Sequence, residues 1–179
     1  NITYVYDLLE GVMNKSLETD RVLWKLAEEA KKSPVLSKVF ATMANEELVA
    51  ELRASIEGRA FLGQLQDVLE VYGWRIANSH EFSDETWVEN PAYALATISE
   101  YLKTDYNFDE EFAAVVSERE QKVADLLAKH PESEEKAAFK QMHEWALVYW
   151  GGDEDHHFYI DAMLPAKARL LLLEVGRLL

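Results

Sequence analysis

Five consecutive residues near the C-terminal end have types and spacing that can do chemistry: Asp153, Glu154, Asp155, His156 and His157. On a helix, positions three and four apart are neighbours. Glu154 then lies beside His157, and His157 sits between Asp153 and Asp161. A carboxylate next to an imidazole orients its tautomer, stabilises the imidazolium and raises the basicity of the ring. A general base that deprotonates a hydroxyl needs this arrangement. His157 and His156 are therefore candidate bases, with Glu154 and Asp155 as candidate orienters. The same spacing fits a solvated acidic first turn, because helix N-termini attract carboxylates. A metal reading also exists. Glu154-x-x-His157 is one element of the di-iron bundle motif, which needs a second copy and two further Glu. The sequence holds one copy, with His143-Glu144 as a partial complement, so no metal ligand is assigned.

Aromatic residues crowd this stretch: Trp145, Tyr149, Trp150, Phe158 and Tyr159. With Trp74 and Trp87 they can wall an apolar pocket for a flat ligand, although each one alone also suits an ordinary core. Arg75 is placed to hold an anion such as phosphate, or to serve as a structural ion-pair partner. The candidate substrate contacts are Arg75, Trp74, Trp150, Tyr149, Phe158 and Asp161. The sequence has no glycine-rich phosphate loop, no G-x-S-x-G elbow and no dinucleotide fingerprint.

The elements that carry these residues read as helices. Apolar residues recur at helical spacing nearly throughout, and Gly (7) and Pro (4) are too few for a loop-rich all-β domain. The expected architecture is an all-α bundle of about seven to eight helices forming one domain over residues 1–179. The first helix is predicted over about Thr3 to Asn14, and Ser16 is the predicted cap of the second. Ser33-Pro34 opens the third as N-cap and first-turn proline. A long helix is predicted from Asn45 to Tyr72, with Gly58 and Gly63 as sites of bending or close approach and Gly73 as its C-terminal cap. The stretch from Trp74 to Glu89 has no helical or strand period. Long structureless stretches inside compact domains are uncommon and often functional. Asn90-Pro91, Asn107 and Ser133 start the next three helices. The Ser133 helix has Phe139, Met142, Trp145, Ala146 and Tyr149 as its inward stripe. Gly151-Gly152 is the predicted stop, and the last helix is predicted to begin near Asp153 and to be kinked or split at Pro165.

Composition excludes several functions. Thirty-three acidic residues against 18 Lys and Arg leave a net charge of −15, which repels nucleic acid and anionic lipid. Without cysteine there is no disulfide or thiolate site, which suits a cytoplasmic protein. No apolar run reaches the roughly 18 residues of a membrane span. The chain starts at Asn1 and closes on an apolar helix, so a fragment or subunit of a larger protein is expected.

Two stretches resemble one known family. Tyr72-Gly73-Trp74-Arg75, Glu81-Phe82-Ser83 and Thr86-Trp87-Val88-Glu89-Asn90-Pro91 are similar to the "YGHR…DLS…W.EDP" signature of phosphoenolpyruvate-synthase-like phosphotransferases. Asp153 to Asp161, followed by Leu173-Glu174-Val175-Gly176-Arg177, resembles their "REDHNFYID…LLEIGR" segment. The resemblance covers roughly Leu62 to Leu179. It implies the helical substrate-binding domain of enzymes such as rifampin phosphotransferases and phenylphosphate-synthase-like kinases. In that family ATP, with Mg2+, phosphorylates a histidine on a swivelling domain. The phosphohistidine then passes its phosphoryl group to a hydroxyl held in the helical domain. Neither ATP-grasp nor phosphohistidine motifs occur here, so the resemblance implies partner domains in cis or in trans and no cofactor in this domain. Rifampin-acting members carry an Arg-Glu-Tyr-Pro-Lys-like run where this chain has Asp153 to His157. Loss of both basic ends argues against the antibiotic, and the histidine version is more similar to phenol-phosphorylating members. The expected acceptor is a small phenolic or otherwise hydroxylated molecule. Two other readings stay open: a non-catalytic helical scaffold or regulatory subunit, and a di-metal carboxylate oxidase.

Overall fold

The computed structural model describes residues 2–43, 45–75 and 82–179. Over these residues it is an all-helical bundle, as predicted, with some helix boundaries shifted. The helices are α1 (Ile2–Asp7), α2 (Lys15–Lys31), α3 (Pro34–Thr42), α4 (Asn45–Ala54), α5 (Ile56–Tyr72), α6 (Ala92–Leu102), α7 (Phe108–Ala128), α8 (Glu134–His156) and α9 (Leu164–Leu178). A π-helical turn, His157–Met163, stands between α8 and α9. The chain divides into two compact units. The first comprises Asn1–Glu18 with Asn107–His156, and the second Thr19–Tyr106 with His157–Leu179.

The second unit holds the main core. Leu23, Leu26, Ala27 and Ala30 of α2 meet Leu36, Val39 and Phe40 of α3. Leu48 and Leu52 of α4, Phe61, Leu65 and Leu69 of α5, and Ala94, Leu95 and Ile98 of α6 complete it. These are the three-and-four-spaced stripes of the sequence, and each fully buried Leu or Phe contributes about 1.5–3 kcal/mol. Phe40 and Phe61 pack edge to face at 5.5 Å.

The long helix predicted from Asn45 to Tyr72 is broken at Ser55. That residue is extended (φ −107°, ψ 162°), and its hydroxyl accepts from the Gly58 N–H at 2.9 Å. The chain turns there so tightly that a Cβ on Gly58 would lie 2.0 Å from the Leu52 carbonyl oxygen. Gly58 thus permits close approach, as its type implies, whereas Gly63 faces open space. Ser33, Asn107 and Ser133 cap as predicted, their side chains accepting from N–H groups of the first turn. The cap of α2 is Asn14 rather than Ser16: its side chain accepts from Leu17 N–H at 2.9 Å.

The first unit is built from α1, α7 and α8. The helix predicted to run to Asn14 ends at Asp7. Gly11 then turns through a left-handed conformation (φ 68°) with Val115 and Val116 against it. Arg119 donates to the carbonyls of Glu10 and Gly11, and the His143 ring bonds the Leu8 carbonyl at 2.7 Å. Gly151-Gly152 does not stop α8, which runs on to His156. Gly151 is buried because Val12 lies where its Cβ would be, at 2.9 Å. Its small size serves packing, and the flanking helical residues carry the helix across it. The inward stripe predicted for α8 is also corrected: Met142, Trp145 and Tyr149 are exposed.

Candidate functional site

Arg75 and the 82–89 segment are held by a few specific bonds. Trp87 N–H donates to the Arg75 carbonyl at 3.1 Å, and Val88 N–H to the Gly73 carbonyl at 3.2 Å. Glu89 carboxylate accepts from both the N–H and the hydroxyl of buried Thr86. The same carboxylate takes a two-pronged ion pair from Arg169 of α9, at 3.1 Å on each oxygen. Arg169 also donates to the Phe82 carbonyl. Burial pushes Glu89 up, but Arg169 and the Thr86 hydrogen bonds outweigh it and hold the carboxyl below its usual range. Residues 76–81, including Glu81 of the quoted signature, lie outside the described residues.

Arg75 is half-buried and engaged by several neighbours. Its Nη2 donates to the hydroxyl of Thr19, which is buried, at 3.0 Å. Its guanidinium carbon lies 5.2 Å from the centre of the Phe158 ring and 6.0 Å from that of Trp87. Asp20 supplies the opposing charge. Burial is the larger influence on both partners. It raises Asp20 against the pull of Arg75, and lowers Arg75 against the pull of Asp20. Tyr101, stacked on Tyr106, is pushed up to about 12 by burial and then by Asp20 and Tyr106. Trp74 donates to the Glu70 carbonyl and carries Lys167 over its ring at 5.0 Å.

The π-helical turn carries the histidine. His157 Nδ1 and Asp161 Oδ2 are 2.6 Å apart, on side chains 60% and 41% exposed. An ionised carboxylate only accepts, so Nδ1 holds the proton and donates, and in the neutral ring Nε2 then carries the lone pair. Phe158, next to His157, is 4% exposed and anchors the turn in the second unit. Such π-helical insertions occur often at functional sites.

The remaining predicted residues fall in the first unit. Asp155 accepts from the Lys15 N–H at 2.7 Å, satisfying the first turn of α2. Trp150 packs on Tyr6 at 5.6 Å, while Tyr149 is 77% exposed. Glu154 is half-buried, and Asp153 and His156 are exposed. The structure therefore joins His157 to Asp161 and Arg75 to Phe158, and gives Asp155 a helix-capping contact. Sequence reasoning missed Thr19 and Asp20, which carry no motif signal. It also passed over Arg169, whose partner Glu89 stood in the quoted signature.

Residues 2–154 match the family described as the rifampicin phosphotransferase fourth domain. The chain belongs to that family. The fourth-domain match reaches the N-terminal helices, which lay outside the resemblance read from the two motifs. Uncharacterized phosphotransferase YvkC of Bacillus subtilis (strain 168) is 42% identical over 176 residues, 98% of this chain and 21% of the relative. Chondramide synthase cmdD of Chondromyces crocatus is 30% identical over 175 residues, 96% of this chain and 4% of that protein. The chain thus spans about a fifth or less of the length of these relatives. As a fourth-domain family member it is a phosphotransferase domain of the phosphoenolpyruvate-synthase-like kind.

Proposed function

We propose that this chain binds the hydroxylated acceptor, a small phenol or similar alcohol, for phosphoryl transfer from a phosphohistidine on a separate swivelling domain. The His157–Asp161 pair is the observation that carries this reading. A phenol with a pKa of roughly 10 keeps its proton near neutrality and gains from a base. His157 Nε2 takes that proton while the acceptor oxygen forms its bond to phosphorus. The P–N bond of the donor breaks, and its electron pair returns to the donor imidazole. Asp161 orients the base, alongside the candidate orienters Glu154 and Asp155. His156 remains the alternative base at the neighbouring position.

ATP and Mg2+ belong to other parts of the complete enzyme. This chain has no glycine-rich phosphate loop, and among the described residues no three His, Cys, Asp or Glu side chains converge as a metal requires. The di-metal oxidase reading lacks a ligand set among those residues.

Two measurements test the proposal. Phenols are expected to raise the melting temperature of this chain; a folded chain indifferent to every phenol tried would oppose acceptor binding. In the enzyme with its ATP-grasp and phosphohistidine parts, His157→Ala is expected to slow transfer at least about 100-fold. Undiminished rates in both His157→Ala and His156→Ala remove the general-base role.

A second reading, a helical scaffold or regulatory subunit that docks the partner domains, draws on one observation. Met142, Trp145, Val148 and Tyr149 leave an apolar face of α8 in solvent. Loss of partner-domain binding on Trp145→Glu, with phenol binding absent from the native chain, is the result that favours it.

A further inference from the structure

The half-buried guanidinium of Arg75 is engaged on several sides, by Thr19, Asp20 and the rings of Phe158 and Trp87. We infer that Arg75 is a positioning residue: seated against the Phe158 and Trp87 rings and held by Thr19 and Asp20, it fixes the π-helical turn so that His157 meets Asp161. The inference rests on the reading of His157 as the base and assigns what keeps that base in place.

The links are short. Arg75 is anchored at its head by the Thr19 hydroxyl at 3.0 Å and at its backbone by the Trp87 N–H at 3.1 Å. Its flat cation lies 5.2 Å from the Phe158 ring, a spacing that favours cation–π attraction. Phe158 is the residue of the turn that is buried, and it directly follows His157. The turn is seven residues long, and π-helical hydrogen bonding occurs mostly in single turns. Such a turn needs support from tertiary contacts. Arg75 provides it through Phe158, the immediate neighbour of His157, so a cation from the Gly73–Arg75 segment governs the aim of a ring more than 80 positions later in sequence. Lysine would keep the charge but not the planar fork that stacks and bonds at once.

Nitrogen-detected NMR of the histidine rings in this chain tests the inference without using activity. The native His157 is expected to show the tautomer protonated at Nδ1. Arg75→Ala, and to a lesser degree Arg75→Lys, is expected to shift His157 toward the mixed tautomers given by Asp161→Asn. Glu89→Gln, which loosens a different ion pair of the same unit, is expected to leave the His157 signal in place. Should Arg75→Ala fail to fold, Phe158→Leu removes the ring beneath the cation and is expected to give the same shift. A folded Arg75→Ala or Phe158→Leu chain with native His157 signals would overturn the inference. If these shifts occur while His157→Ala leaves phosphoryl transfer intact in the complete enzyme, the base assignment fails and the positioning role stands.

Discussion

Two arginines of the second unit hold carboxylates, and they do so on opposite terms. Arg169 meets Glu89 with both prongs, and Thr86 fills the remaining capacity of that carboxylate. Attraction outweighs burial there, since Glu89 is held below its usual range. Around Arg75 burial outweighs attraction: Asp20 is raised and Arg75 lowered. The first pair is a latch that fastens the 82–90 stretch to α9. The second keeps charge in a costly place, as sites that act on ligands often do. The Arg169–Glu89 pair favours both ions, whereas burial disfavours both ions of the Arg75–Asp20 pair.

The contrast can be broken by experiment. The largest effect is expected for Arg169→Ala, which leaves a half-buried Glu89 without its two-pronged partner and is expected to lower stability by about 2 kcal/mol in urea denaturation. A loss under about 1 kcal/mol would mean that the latch is ornamental. Asp20→Asn is expected to cost less than Glu89→Gln by at least about 1 kcal/mol, because neutralising a group already disfavoured as an anion gives up less. The reverse order would erase the distinction between the two pairs.

The pH dependences are expected to differ in sign. Glu89 has a depressed pKa in the folded chain. Its contribution is complete above the ordinary carboxylate range and disappears as pH falls through the depressed value. Asp20 has a raised pKa, so its contribution is complete at low pH and fades as pH rises through the raised value. Denaturation across roughly pH 3 to 7 in Glu89→Gln and Asp20→Asn chains checks both slopes. The smallest effect is expected at the edge of the cluster. Tyr101 is expected to titrate near 12 by ultraviolet absorbance, and Asp20→Asn to bring that midpoint down.

The fold was legible wherever local chemistry decides it. The caps at Ser33, Asn107 and Ser133 were read correctly, because a side chain and its own first turn are enough to set them. Errors came where a distant contact decides. Gly151 reads as a helix stop, yet Val12, far away in sequence, gives it a packing role. Trp145 and Tyr149 read as core, yet hydropathy alone does not say whether a face is covered. The site was half legible. The His157–Asp161 pair follows from helical spacing. Thr19 and Asp20 are ordinary members of an acid-rich α2, and only the fold brings them to Arg75.

The corner between α4 and α5 carries a consequence for how this sequence can drift. At Gly58 any side chain would collide with the Leu52 carbonyl, whereas Gly63, Gly152 and Gly176 face open space. In a deep mutational scan position 58 is expected to be nearly invariant and the other three permissive, with alanine at Gly63 a mild gain. One hydrogen-sized gap at a helix corner thus closes a path that lineages of this domain would otherwise be free to take.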